Sequence, residues 1–510
     1  MSFTVRRLAD ETKKKRKPFP WQKVLIGALT VGKPLLSLLD ALRKRQQAAK
    51  KERERSMLLK RILVILVTVL CAAFVLNATV QAVFGLKLLS LRSIVSISAA
   101  ELPKDSSGHT NILLLGKGDD AHDGIDLTDT MMVVSLDPTK TKSAVMLSIP
   151  RDLYLLKTQN MGKGRINTMY RDYKSTLIQS GKSHAEASKI AMQEVGQELG
   201  DALGIKIHKV ALVDFIGFVQ AVDAIGGVDI DVAQDLVDTQ YPDTENSYTT
   251  FTVLAGRQHL DGETALKYAR SRHSTSDFDR SRRQQQILKA LADKVKTEHL
   301  LTKPNHVIEL LGILKDHIDT TMTVREMVGL ANLGLSIDPA HILSMQLNDR
   351  NGLYGSLVSP GGFLYTPPRA EFDGASVLLP ISIPPDPITW KQIKVLTYIF
   401  VDTRSPVLAR LPIDVLNAGA PTGSSKKLGG ELARYGFIIN GMANAENGVK
   451  NPSSVIVTNA QNKEVATYLG TLLHMEVQDA DAATEMQGIT ILLGKDYTFT
   501  PLQSLIPKAQ

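Results

Sequence analysis

The sequence predicts an α/β fold: a three-layer sandwich built on a central mixed sheet, preceded by one N-terminal transmembrane helix and followed by a small C-terminal α/β domain. Three observations predict it. From Asn111 onward, short apolar runs, ILLL (Ile112 to Leu115), MMVVSL (Met131 to Leu136) and AVMLSI (Ala144 to Ile149), are each followed by polar or Gly/Pro punctuation. Such runs read as strands buried on both faces. Longer helical stretches, notably His184 to Leu203 and Arg280 to Lys296, lie between later strands and call for helices layered on the sheet. Finally, the 25 positions Ile62 to Leu86 carry no charged side chain, and as a helix rising about 1.5 Å per residue they would reach about 37 Å, enough to cross a bilayer.

Residues 1–61 hold 18 Lys/Arg against 5 Asp/Glu, a net +13 within a chain of net +8, so the remainder carries −5. A basic tail on a mildly acidic body argues against nucleic acid as a partner, because such a footprint needs basic residues clustered on the folded surface. The tail instead suits the cytoplasmic side of a membrane. Lys/Arg from Arg43 to Arg61 flank the apolar span, and by the positive-inside bias they keep the N-terminus cytoplasmic and export the chain beyond about Lys87. A cleaved signal peptide would need a short leader and an apolar stretch of about 7 to 15 residues. The competing reading of 62–86 is a buried core helix, favoured by Asn77, Thr79 and Gln81. Cys71, the sole cysteine, lies in the span, so the exported region has no disulfide and no thiolate metal site. Val24 to Leu42, interrupted by Lys33, Pro34 and Asp40, reads as an interfacial helix.

These features set the domain organisation. Residues 87–108 form a juxtamembrane stem ending in turn-forming Pro103, Asp105, Ser106, Ser107 and Gly108. The main domain spans 109–402, its motif-bearing core 109–296, with further signals at Ile342 to Leu347 and Trp390 to Ile399. A Pro-rich crossing at Pro367, Pro368, Pro380, Pro384, Pro385 and Pro387 reads as surface loop. A second unit over 411–498 runs from IDVLNAG (Ile413 to Gly419) into a helix ending at Tyr435-Gly436, then strands at Ser454 to Thr458 and Ile489 to Leu493. It lacks a cluster of catalytic residue types, which points to binding or spacing.

Three stretches carry the chemistry. The loop GKGDDAHDGIDLTDT places Asp119, Asp120, Asp123, Asp126 and Asp129 within eleven residues; carboxylates beside glycines suit a hard cation such as magnesium, while a solvated acidic loop is the plainer reading. Asp129 stands out because it immediately precedes a buried strand. In SIPRD, a strand runs out into Arg151 and Asp152, where a guanidinium can fork onto phosphate oxygens, or the two can pair with each other. In KYARSRHSTSDFDRSRRQQQILKAL, Arg270 and Arg272 would share a face if extended. Stepping back from Ile287 by four and seven residues reaches Arg283 and Arg280, which puts both on the core-facing side of a helix, with Arg282 outside. Inward arginines need an anionic partner, either a phosphate chain or Asp277 and Asp279. An acidic loop with several inward arginines, and no Ser-His-Asp or Cys nucleophile arrangement, suggests phosphoryl or diphosphate chemistry. No Walker A sequence and no helix-opening GxGxxG is present, so a nucleotide is not indicated.

The stretches NILLLG, LTDTMMVVSLDP, MLSIPRDLYL, GRINTMY, VDFIGFVQAVDAIGGVDIDV and LDGETALKYARSRHSTSDFDRSRRQQQIL, in that order over about 109–296, resemble the LytR-CpsA-Psr family of envelope proteins. VLNAG, ARYGF and ILLGKD in 411–498 are similar to the LytR-type C-terminal domain often appended to them. The resemblance implies a magnesium-dependent transferase moving a glycopolymer from a polyprenyl diphosphate carrier to peptidoglycan, in a single-pass membrane protein whose catalytic region is extracytoplasmic. It implies Asp129, with Asp119 or Asp120, as metal carboxylates; Arg151, Arg270, Arg272, Arg280 and Arg283 around the diphosphate; and Asp152 and Asp277 ordering them. Phe215, Phe218 and Val219 are candidates for an apolar tunnel for the carrier. One departure is that the family's first loop commonly reads Gly-x-Asp-x-Arg, whereas this chain reads Gly116-Lys117-Gly118-Asp119-Asp120-Ala121-His122, with Lys117 or His122 left to stand in for the arginine. Hydrolysis of the carrier-linked glycan, or a non-catalytic envelope-binding or regulatory role, are the other functions the same motifs allow.

Overall fold

The computed structural model describes residues 100–118, 125–242, 247–271, 277–298, 312, 316–349, 361–381, 388–446, 453–480 and 487–506, with 277 and 278 in backbone only. The basic tail, the expected span 62–86 and most of the stem lie outside these residues. Among the described residues no helix is long and apolar enough to cross a membrane.

The three apolar runs are strands β1 (Thr110–Lys117), β2 (Thr128–Asp137) and β3 (Ser143–Ile149), joined in series as antiparallel neighbours. With β4 (Lys209–Val213), β5 (Ile318–Thr320) and β6 (Ile342–Gln346) they form one sheet in the order β5-β4-β1-β2-β3-β6. It is mixed, because β4 joins β1 and β6 joins β3 in parallel while the other pairs are antiparallel. β3 is buried at every position, which explains its unbroken apolar sequence: both faces are covered.

Alternation along the strands assigns the layers. Leu113, Leu115, Val145 and Leu147 pack with Met169 and Tyr170 of helix α1 (Ile166–Gln179) and Met192, Val195 and Leu199 of α2 (His184–Leu203). Residues of opposite parity meet the other layer, where Gln285 reaches the Met146 carbonyl (3.2 Å) and Ser148 Oγ (2.9 Å). That layer contains α3 (Phe215–Ala224), α4 (Gly262–Arg270), α5 (Asp277–Thr297) and α6 (Val324–Ser336). α2 starts where Ser183 accepts the Glu186 N–H and stops at Gly204, whose φ of +73° suits glycine. α3 begins one residue after β4 because Asp214 caps it through the Gly217 N–H at 2.7 Å.

The Pro-rich crossing departs from the surface-loop expectation. Val377 and Leu379 are buried, and Leu378 pairs with the chain after β3: its N–H donates to the Asp152 carbonyl (2.8 Å), and its carbonyl accepts from Tyr154 (2.9 Å). Apolar residues between the prolines supply the burial that proline spacing conceals. Pro384, Pro385 and Pro387 lie outside the described residues.

The C-terminal unit is a five-stranded sheet in the order β8-β7-β11-β9-β10, made of β7 (Pro412–Asn417), β8 (Ile438–Asn444), β9 (Val455–Thr458), β10 (Glu476–Asp479) and β11 (Ile489–Leu493). Helices α7 (Ser424–Arg434) and α8 (Lys463–Leu473) cover it. It is docked on the main domain. Arg434, fully buried, donates to the Gly362 carbonyl from Nε (3.0 Å) and Nη2 (2.8 Å) and stacks 4.2 Å over the Phe363 ring, which itself meets Tyr435 edge-on.

Candidate active site

β1, β3, β4 and β6 all run toward the same edge of the sheet, and the chain leaving them builds the site there, as α/β architecture favours. Asp129 enters from β2, which starts at this edge. Arg151 and Asp152 come directly after β3, Phe215 after β4, and Asp349 lies three residues beyond β6. α4 and α5 bring Arg270 and Arg280.

Arg151 Nη1 donates to Asp129 Oδ2 at 3.0 Å, a shorter pairing than its 3.8 Å approach to Asp152. Asp152 also lies 3.6 Å from Arg165. Arg280 is only 7% exposed and its Nη2 donates to the Asp129 carbonyl at 3.4 Å. Arg270 stacks 4.1 Å over the Phe215 ring, with Tyr241 at 5.9 Å on another side. The adjacent Ser271 hydroxyl donates to Asp238 Oδ2 at 2.7 Å, and Asp238 is wholly buried.

These residues line two clefts that meet at Arg280. The first, about 670 Å³, has Asp129, Arg270 and Arg280 as its charged rim and Phe215, Tyr241 and Pro242 as an apolar wall. The second, about 770 Å³, contains Arg151 and Asp152.

The structure therefore brings together Asp129, Arg151, Asp152, Arg270 and Arg280. Arg283 is buried as its helical phase predicts, but it lines a separate groove: its Nε donates to the Tyr268 carbonyl (2.8 Å) and its Nη2 to the Ser271 carbonyl. It ties the end of α4 to α5. Arg270 is the last residue of α4, not part of an extended segment, because Asp261 caps that helix through Thr264 (2.8 Å) and Glu263 pairs with Lys267 one turn on (2.7 Å). Arg272, Asp119, Asp120, Asp123 and His122 lie outside the described residues, as does the Asp277 side chain.

Within the acidic loop, Asp126 is committed to structure, pairing with Lys117 (3.0 Å) and Lys174 (2.6 Å). Burial alone would raise its pKa, but the hydrogen bonds from Lys174 and Lys117 outweigh that and hold its carboxyl below the usual value. Lys117 is engaged accordingly. Asp129 differs: its Oδ1 is buried without a hydrogen-bond partner, so an oxygen ligand remains for a hard cation. Asp105, His109 and Asp402 also lie close enough to share an ion, but at the opposite end of β1 and beside the Arg404 guanidinium, which disfavours a cation.

Four contributors were not singled out by sequence reasoning: Asp238, Tyr241, Gln284 and Gln285. Gln284 donates to Thr130 Oγ1 at 2.9 Å, and Gln285 reaches Met345 O as well as β3. For Gln284 a signal was present, since it lies four residues after Arg280 and so shares its inward face.

Comparison with known proteins gives the α/β domain that carries this site a family. The model of the LytR_cpsA_psr family matches residues 90–363, more than half of the chain, and the chain belongs to that family. A second model, described as LytR cell envelope-related transcriptional attenuator, matches residues 410–497. Among curated relatives, the chain is 32% identical over 228 residues to the polyisoprenyl-teichoic acid–peptidoglycan teichoic acid transferase TagV of Bacillus subtilis, covering 44% of this chain and 52% of that protein. It is 31% identical to the cell wall biosynthesis protein LcpA of Corynebacterium glutamicum, covering 44% and 42%. The chain thus matches about half the length of these relatives. The crystal structure of B. subtilis TagV aligns at 27% identity and a TM-score of 0.37, over 50% of this chain and 89% of that one.

Proposed function

We propose that the protein transfers a glycopolymer from a polyprenyl diphosphate carrier to peptidoglycan, from a membrane anchor at 62–86 that leaves its N-terminus cytoplasmic and its catalytic region outside. The observation that carries this reading is the arrangement around Arg280: two arginines and a carboxylate with a spare oxygen beside an apolar wall, and a second carboxylate across the guanidinium. The name of the TagV relative, a polyisoprenyl-teichoic acid–peptidoglycan teichoic acid transferase, supports a polyisoprenyl-linked polymer and peptidoglycan as substrates.

In this reading Arg270 and Arg280 hold the diphosphate oxygens, with Arg270 set by Phe215, and Arg151 keeps Asp129 in place. Asp129 Oδ1 would hold magnesium, which when bound neutralises diphosphate charge. A peptidoglycan hydroxyl attacks the phosphorus nearest the glycan. The new O–P bond forms as the bridging P–O bond to the carrier phosphate breaks, and Asp152 accepts the hydroxyl proton. Polyprenyl monophosphate leaves with the bridging oxygen, its growing charge stabilised by the arginines. No covalent enzyme intermediate is required.

The test is release of polyprenyl phosphate from a short glycan-diphosphate-polyprenyl substrate by the full-length protein in detergent, with magnesium, and with or without peptidoglycan oligomers. The reading predicts acceptor-coupled release, lost in Arg280→Ala and Asp129→Ala. Release at the same rate without acceptor would make it a hydrolase instead.

A further inference from the structure

The two clefts differ in chemistry, and the difference divides the substrates between them. The first is walled by Phe215, Tyr241 and Pro242, a surface for an isoprenoid chain beside its diphosphate. Among the described residues, the second has no aromatic side chain in its lining. Asp152, Ser281, Gln346, Asp349, Thr366 and Ser376 present carboxylate, amide and hydroxyl groups from four separate parts of the chain, over a floor that includes Pro150 and Leu378. Convergent short polar groups over a small apolar floor suit a sugar, whose hydroxyls and acetamido groups both donate and accept. Its two carboxylates, Asp152 and Asp349, are matched by Arg151 and Arg280, so the cleft has no excess positive charge to draw a second diphosphate.

The cleft is built by tertiary contacts. Thr366 Oγ1 donates to Asp349 Oδ2 at 3.2 Å, which fixes that carboxylate. The N–H groups of Phe363 and Leu364 both donate to the Asn348 carbonyl, at 2.8 and 2.9 Å, and Leu378 bonds the Asp152 backbone. The docked C-terminal unit backs this wall through Arg434, Gly362 and Phe363.

The geometry points to the second cleft as the acceptor subsite: a peptidoglycan glycan strand lies there, with Asp349, Thr366 and Ser376 gripping its sugars and one hydroxyl presented to Asp152, across Arg280 from the carrier diphosphate. This assignment rests on the transferase reading. It gives Asp349 a specificity role far from the family motifs, in the chain after β6, and gives the C-terminal unit a purpose as support for the acceptor wall.

Full-length protein in detergent, with Asp349→Ala, Asp349→Asn or Ser376→Phe, is titrated with a soluble peptidoglycan tetrasaccharide and, separately, with farnesyl diphosphate and magnesium. Thermal melting of each variant confirms that it is folded. The tetrasaccharide Kd is expected to rise about tenfold in each variant, as for loss of a charge-assisted hydrogen bond or filling of the cleft, while the farnesyl diphosphate Kd changes less than about twofold. Unchanged tetrasaccharide binding in all three variants, or equal weakening of both ligands, overturns the assignment. A glycan diphosphate without the prenyl chain is titrated as a third ligand, and weakening confined to it also overturns the assignment, because it would put the donor's own sugar in this cleft. If wild-type protein still couples release to peptidoglycan in any of these cases, only the subsite assignment fails; if coupling is absent, the transferase reading fails with it.

Discussion

Replacing Phe215 by leucine keeps an apolar side chain at the start of α3 but removes the aromatic face under Arg270. The guanidinium carbon lies 4.1 Å from the ring centroid, well inside the range of a cation–π contact, while Tyr241 at 5.9 Å is at its limit. Phe215 is half-buried, so the contact falls between the exposed and desolvated values, about 1 to 1.4 kcal/mol. If the ring positions Arg270 on the carrier diphosphate, that energy is lost from the transition state, and kcat/KM for the donor falls about five- to tenfold. The acceptor KM should not move, because Phe215 does not line the second cleft. Steady-state kinetics with donor and acceptor varied independently provide the assay, and Phe215→Tyr, which retains the ring, should recover most of the loss. An unchanged donor kcat/KM in Phe215→Leu, or a loss that Tyr does not rescue, would refute the positioning role.

Other consequences are equally open to measurement. Asp129→Asn should raise the magnesium concentration needed for half-maximal farnesyl diphosphate binding by about tenfold or more, read by calorimetry, whereas an unaltered requirement removes Asp129 from the metal site. Arg434→Met takes two hydrogen bonds from the Gly362 carbonyl and leaves Glu431 buried, 3.9 Å from where the guanidinium stood; denaturant unfolding should register a loss of about 3 kcal/mol, and less than about 1 kcal/mol would mean the unit is not held there. Burial and then the nearby Arg404 charge lower the His109 pKa from 6.5 to about 4, despite Asp105 and Asp137. Between those values the unfolded chain binds a proton that the folded chain does not, so stability is full above pH 6.5 and falls as pH drops toward 4, by about 3 kcal/mol. His109→Gln should flatten that slope, and a slope left intact would assign it to other groups.

The parts of this fold that were legible in the sequence are those set by local rules. β1, β2 and β3 could be read because strands covered on both faces must be apolar throughout, and α2 because its span is bounded by Ser183 and Gly204. The inward phase of Arg280 and Arg283 comes from helical periodicity, and both are buried. The groups those arginines face are a tertiary matter. Arg283 spends its donors on carbonyls at the end of α4, whereas Arg280 stands between two clefts; nothing in a periodicity separates these outcomes. Arg270 meets Phe215 from a distant part of the chain, and the wall containing Thr366 and Ser376 is pinned by backbone hydrogen bonds that any residue could make. Proline spacing suggested exposure there, but Val377 and Leu379 decided the packing.

In the proposed reaction the glycan moves with one phosphate onto the wall. The most direct measurement of that transfer is mass analysis of muropeptides after the full-length protein has acted on isolated peptidoglycan with a glycan-diphosphate-polyprenyl donor and magnesium. Transfer would give a muropeptide heavier by the glycan and a single bridging phosphate, with one polyprenyl monophosphate released for each linkage formed. Free glycan phosphate in the medium and unmodified muropeptides, with the monophosphate still released, would contradict it.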